Sequence, residues 1–266
     1  MSNNKDINLV KKKIFSAKIH EKPFPVLIIR NFLPKKIFKD LSKALPSYND
    51  LNGGNIFIQS KSGSKRSVFI ESNYFKKIMK KEIAIKNTIN IFKKLEPAIN
   101  KKFSQQIDNN INKFFINTKT NFSCSFSSCI KSYVKSVHID RREHKFHILY
   151  YPNIQKNSGG ELCLWASEDK DTYDVFPDER KLKLSKTIKP SPNTCLITLN
   201  TPNSYHSVKR YTGKKERKYI YAVYDFPTTK ENYHLKSRSN GNNANIFWKK
   251  PVKVYSQRRL KNFLAA

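Results

Sequence analysis

Between residues 119 and 227 the chain is divided into short runs rich in β-branched and aromatic residues, each closed off by turn residues. That spacing restricts the segment to a β core of short strands. Lys145-Phe146-His147-Ile148-Leu149-Tyr150-Tyr151-Pro152-Asn153 is one such run, and Ser158-Gly159-Gly160-Glu161-Leu162-Cys163-Leu164-Trp165 is a turn feeding the next. Thr194 to Asn200, Tyr205 to Val208 and Arg217 to Tyr224 follow. Glycines number only seven, and the adjacent Gly159-Gly160 marks a turn whose backbone tolerates no side chain. At 266 residues the chain can bury a substantial core, and one domain with appendages is the expected organisation.

Inside that segment, His138-Ile139-Asp140 places an imidazole and a carboxylate on one face of an extended strand and turns Ile139 into the other layer. The pair alone is common by chance, so it gains meaning from its β context. His206, in Asn203-Ser204-Tyr205-His206-Ser207-Val208, sits beside a short β-like run from which a facing strand delivers a third ligand. Two histidines and one carboxylate are what a mononuclear iron(II) oxygenase site needs, with three positions left open on one face.

In this order the segments resemble the 2-oxoglutarate and iron(II)-dependent dioxygenases, most closely the prolyl-hydroxylase-like branch, over about residues 119 to 227. The resemblance implies a mainly β fold with flanking helices (α+β): a double-stranded β-helix (jelly-roll, cupin-like) core with helices packed on its outer face. It makes His138, Asp140 and His206 the catalytic centre and the ligands of Fe(II), with 2-oxoglutarate, O2 and ascorbate as the candidate cofactors. Arg217, eleven positions beyond His206, stands where the family grips the far carboxylate of 2-oxoglutarate, and Tyr151 corresponds to a tyrosine that bonds the same carboxylate in several relatives. A guanidinium offers a planar fork to a carboxylate, and such a charge-assisted pair contributes roughly 1.5 to 3 kcal/mol. Lys218 is the rival. Only one of two strand neighbours faces a pocket, and Arg217 shares its face with Tyr219, Tyr221 and Val223. The implied reaction is prolyl-4-hydroxylase-like hydroxylation of an unactivated C–H bond, coupled to decarboxylation of 2-oxoglutarate to succinate.

Residues 1–118 read as an N-terminal strand and helical support section of the same domain, 119–227 as the catalytic core, and 228–266 as a basic C-terminal extension. Phe24 to Phe32 reads as an entry strand, followed from Leu33-Pro34 by a helix carrying Ile37, Phe38, Leu41 and Leu45. The alternation in Asn55-Ile56-Phe57-Ile58 and Ser67-Val68-Phe69-Ile70 predicts strands of a small accessory sheet. From Phe75 to about Phe115 the pattern predicts two helices broken near Pro97 and packed on the outside of the barrel.

The formal net charge of +32, from 52 basic against 20 acidic residues, would draw polyanions or an acidic protein, with nucleic acid among the candidates. No zinc knuckle, helix-turn-helix or phosphate-cradling glycine loop accompanies it, so the charge provides attraction without sequence readout. Residues 166–192 concentrate Glu168, Asp169, Asp171, Asp174, Asp178 and Glu179 in what reads as a solvated loop or a substrate lid. Cys124, Cys129, Cys163 and Cys195 lack zinc-site spacing and read as reduced core residues. His147 reads as a packed histidine or a lining residue of the cosubstrate pocket, with His144 at the rim of its strand. No apolar run is long enough for a membrane span and the start lacks a signal peptide, so a cytoplasmic protein is expected. Three other readings share these features: a nucleic-acid demethylase of the alkylation-repair type, an oxygenase of free amino acids, sugars or lipids, and a non-catalytic jelly-roll binding module. The first needs a second arginine after His206, and Arg210 is too close to it.

Overall fold

A computed structural model describes residues 4–52, 57–58, 64–107, 117–140, 144–155, 157–167, 172–173, 177–201, 204–226 and 253–254. Two antiparallel sheets face one another. Their strands in chain order are β1 (Ile19–His20), β2 (Val26–Ile29), β3 (Phe57–Ile58), β4 (Lys65–Phe69), β5 (Asn121–Cys129), β6 (Lys135–His138) and β7 (His144–Tyr151). There follow β8 (Leu162–Ser167), β9 (Thr172–Tyr173), β10 (Leu182–Ile188), β11 (Thr194–Leu199), β12 (His206–Val208), β13 (Arg217–Asp225) and β14 (Lys253–Val254). The larger sheet runs β1-β2-β11-β7-β13-β5-β4-β3 and the smaller β10-β8-β12-β6, while β9 pairs with β14. This is the double-stranded β-helix that the sequence led us to expect.

Alternation along each strand assigns its two faces. Phe146, Ile148 and Tyr150 of β7 and Ile220, Ala222 and Tyr224 of β13 face outward and pack against helices. Leu149 and Tyr151 of β7, with Tyr219 and Tyr221 of β13, face inward across Leu162 and Leu164 of the smaller sheet. The helices are α1 (Asn4–Ser16), α2 (Lys35–Ala44), α3 (Asn73–Lys81), α4 (Ile83–Lys93) and α5 (Glu96–Phe103). α1 shows in the sequence as Ile7, Val10 and Ile14, all buried, inside a lysine-rich stretch that masks their spacing. Among the described residues no helix is long and apolar enough to cross a membrane.

Three expectations are corrected. The segment expected to hold two helices holds three among the described residues: Glu82 is extended between α3 and α4, and Pro97 lies in the first turn of α5, where its missing N–H removes no helical bond. Ile111 and Phe115 lie outside the described residues. The accessory sheet is instead part of the larger one, because β4 makes a full ladder with β5 from Lys65 opposite Cys129 to Phe69 opposite Ser125. Val68 thereby joins the helix-covered core, while Lys65, Ser67 and Phe69 turn inward. The stretch 166–192 is interrupted by β10, which pairs with β8 from Leu182 opposite Ser167 to Ile188 opposite Leu162. β10 is an edge strand guarded by Lys183 and Lys186, and that charge gives the strand the composition of a loop. Glu168, Asp169, Asp171 and Asp174 lie outside the described residues, as does the basic extension apart from β14. All four cysteines are buried free thiols.

Candidate active site

β6 ends at His138 and β12 begins at His206, and the antiparallel ladder makes the two residues direct cross-strand partners. Their rings stand 4.3 Å apart between centroids. Each ring is fixed the same way, His138 Nδ1 lying 2.9 Å from the Ser136 carbonyl and His206 Nδ1 2.9 Å from the Ser204 carbonyl. A carbonyl only accepts, so Nδ1 carries the proton of the neutral ring and Nε2 keeps the lone pair a metal needs. Asp140 follows two residues after His138, with Oδ1 3.4 Å from His138 Nε2 and Oδ2 3.5 Å from His206 Nε2. One donor atom from each of the three residues lies within 4.8 Å of the other two. Val137 and Ile139, on the opposite face, are buried with Tyr205 against Trp165 and Leu182, and this packing fixes the strand that presents the histidine and the carboxylate.

Two further residues hold Asp140. His147 of β7 brings Nδ1 to 3.2 Å from Asp140 Oδ2, and Tyr221 of β13 donates its hydroxyl to the same oxygen at 3.1 Å. Burial pushes the His147 pKa down to about 3, so at neutral pH the ring is an uncharged donor. Burial alone would raise the Asp140 pKa, but the surrounding imidazoles of His147, His206 and His138 outweigh it and hold it well below the usual carboxylate value. Burial likewise opposes charge on His206, and the neighbouring Asp140 outweighs it and raises the pKa. His138 is lowered, first by burial and then by His206. His147 sits four residues before Tyr151 on one strand face. Period two marks it as facing inward, but nothing in the sequence marks Asp140 as its partner.

Arg217 opens β13 and is only 1% exposed. Its Nη2 donates to the Tyr151 hydroxyl at 3.2 Å, while Nε and Nη1 are buried with no hydrogen-bond partner among the described residues. A buried guanidinium with two unanswered nitrogens is a standing site for an anion. Lys218 points the other way: its Nζ donates to the Leu45 carbonyl at 2.8 Å and lies 3.8 Å from Glu216. The triad and Arg217 line one cavity of about 330 Å³, walled also by Leu149, Leu162, Val208 and Tyr219. That volume suits a small molecule.

The glycine pair completes the cradle. Gly159 and Gly160 have φ of +70° and +72°, and a Cβ on Gly160 would lie 2.8 Å from Arg217 Nη1. Gly160→Ala is therefore expected to displace the guanidinium, to cost about 1 to 3 kcal/mol in stability through the left-handed backbone, and to weaken anion binding at Arg217. Denaturant unfolding together with a titration of 2-oxoglutarate checks both effects. Wild-type affinity in a destabilised variant would show that Gly160 serves the turn alone.

No family model and no curated protein matches the chain in sequence. Solved structures do match. A prolyl-4-hydroxylase from Pseudomonas putida superposes with a TM-score of 0.54 at 14% identity, over 83% of this chain and 99% of that one. A prolyl 4-hydroxylase from Phytophthora capsici gives 0.52 at 10% identity, over 100% of this chain and 75% of its own. A prolyl hydroxylase from Trichoplax adhaerens, in complex with a hypoxia inducible factor peptide fragment, gives 0.50 at 16% identity, over 84% and 91%. At these identities the likeness speaks for architecture, and by architecture this chain is folded as the prolyl hydroxylases are.

Proposed function

We propose that this chain is an iron(II)- and 2-oxoglutarate-dependent dioxygenase that hydroxylates an unactivated C–H bond, with a prolyl residue of a polypeptide as acceptor. One observation carries the reading: three metal-donor atoms within 4.8 Å of one another share a cavity with a buried guanidinium that has two unpartnered nitrogens. The donor set suits the metal, since two neutral imidazoles and one carboxylate leave a divalent ion with net positive charge and open positions for an anionic chelator. Bound there, iron supplies oxygen activation coupled to the oxidative decarboxylation of 2-oxoglutarate to succinate.

The remaining work falls to the chain. Asp140 is ionised at neutral pH, because its neighbours depress its pKa. His147 and Tyr221 both bond Oδ2, which restrains carboxylate rotation and leaves Oδ1 toward His138. Arg217 offers Nε and Nη1 to the far carboxylate, and Tyr151, which already accepts from Nη2, keeps its own proton to donate. Leu149, Leu162 and Val208 exclude water from the reacting space. The prolyl acceptor is carried over from the named neighbours, one of which holds a peptide. The alkylation-repair reading lacks its second arginine here, as Arg210 is exposed and outside the cavity lining.

Full-length protein given Fe(II), 2-oxoglutarate and oxygen is expected to form succinate, and to add one oxygen mass to proline-containing peptides in a mass-spectrometric screen. Succinate that forms equally without iron, or none in any condition, rejects the dioxygenase. Succinate with oxygen found on nucleotides or glycans instead of peptides rejects the prolyl acceptor.

A further inference from the structure

The inner end of the cavity holds a cation that the proposed chemistry has not used. Lys65 lies on β4 opposite Cys129 of β5, and Cys129 lies opposite Arg217 of β13, so the three form one row across the sheet. Cross-strand partners project from the same face, and Lys65 and Arg217 both line the cavity. The two charges meet at one ring: Lys65 Nζ is 5.3 Å and Arg217 Cζ 5.8 Å from the centroid of Tyr219. Lys135 adds a further positive charge to the same lining.

Among the described residues, the carboxylates that line the cavity are Asp140, within the triad, and Asp225, which is engaged by His144 at 2.5 Å. The groups between the two cations stay neutral, because burial pushes the Cys129 thiol up to about 11 and raises the phenols of Tyr133 and Tyr219. Burial of Lys65 dominates its own balance and lowers its pKa to about 8; the positive charges of Lys135 and Arg217 act in the same direction and Asp140 in the other. A carboxylate arriving at Arg217 would also attract the ammonium of Lys65, which lines the same cavity.

We propose that Lys65 is a second anchoring residue for the far carboxylate of 2-oxoglutarate, forming with Arg217 a two-cation cradle. The inference rests on the dioxygenase reading and gives an inward role to a strand outside the catalytic core expected from sequence. A carboxylate offers about four lone-pair directions, so a fork from Arg217 leaves room for an ammonium.

Calorimetric titration of the full chain, loaded with Mn(II) and kept free of oxygen, tests it with two ligands. 2-Oxoglutarate carries the far carboxylate; 2-oxopentanoate has the same chelating end and chain length without it. Lys65→Met is expected to weaken 2-oxoglutarate roughly tenfold while moving 2-oxopentanoate less than about twofold, and Lys65→Arg to keep 2-oxoglutarate within about threefold of wild type. Equal losses for both ligands would assign Lys65 to the shape of the pocket and overturn the proposal, as would unchanged binding of 2-oxoglutarate. If wild-type protein itself fails to bind 2-oxoglutarate, the dioxygenase reading falls and takes this inference with it. Thermal unfolding screens the variants for folding, and Lys65→Gln replaces the methionine variant if that one does not fold.

Discussion

Asp140→Asn is expected to lose iron-dependent turnover and metal-induced stabilisation together. In wild type the charged carboxylate has a donor atom within 4.8 Å of donors on both His138 and His206, so a divalent ion is expected to bind the folded chain in preference to the unfolded one. Metal at one hundred times its dissociation constant then adds about 2.7 kcal/mol, a rise of roughly 5 to 10 °C in a domain of this size. Asparagine keeps the shape and an acceptor oxygen but removes the charge that makes the set attractive to a hard cation. Its amide also sets a donor against Tyr221 and His147, which both address Oδ2. The substitution further changes acid sensitivity. A carboxylate whose folded pKa lies below its unfolded value contributes stability that is present above about pH 4 and is lost as pH falls through the folded pKa. The asparagine variant should thus show a shallower acid limb in metal-free melts. Thermal scans with and without Mn(II) measure both effects, and a full metal-induced shift in the variant would remove Asp140 from the ligand set.

The parts of this molecule that were legible in its sequence are those where one residue type has one physical use. His138 and Asp140, two apart on an extended strand, announce a shared face, and the glycine pair announces a turn whose left-handed φ the structure contains. Arg217 could be separated from Lys218 because strand alternation admits one of them and sends the other outward. Residues with several uses stayed silent. Lys65 is one of many lysines in a chain of net charge +32, and nothing local separates a cavity lysine from a solvated one. The strand expected from Ser67 to Ile70 begins two residues earlier, at Lys65, and the sheet it joins depends on pairing with β5, a contact about sixty residues away that no periodicity encodes. β10 was hidden for the opposite reason, since its guard lysines look like a loop. The support of Asp140 by His147 and Tyr221 combines side chains from two neighbouring strands of the larger sheet with a residue at the end of a strand in the smaller one, and only the closed barrel brings them together.

Arg217→Met should raise the 2-oxoglutarate concentration giving half-maximal succinate formation by roughly ten- to hundredfold, the equivalent of losing a charge-assisted pair of about 1.5 to 3 kcal/mol. Methionine matches much of the side-chain volume, so the cavity wall stays filled while the fork disappears. The metal end of the site is untouched, and the maximal rate at saturating cosubstrate should fall far less than the affinity does. Stability moves in the other direction. Arg217 is a buried charge with two unpartnered nitrogens, and its removal relieves desolvation at the cost of one hydrogen bond to Tyr151. Metal-free Arg217→Met is therefore expected to melt no lower than wild type, the signature of a residue retained for binding against the interest of the fold. Arg217→Lys sharpens the test. It restores charge without the planar fork, and should recover only part of the affinity if bidentate geometry matters. A half-saturating concentration unchanged in Arg217→Met would move the anchor elsewhere in the cavity, and Lys65 would be the first residue to examine, since Lys218 is turned toward Leu45 on the other face of β13.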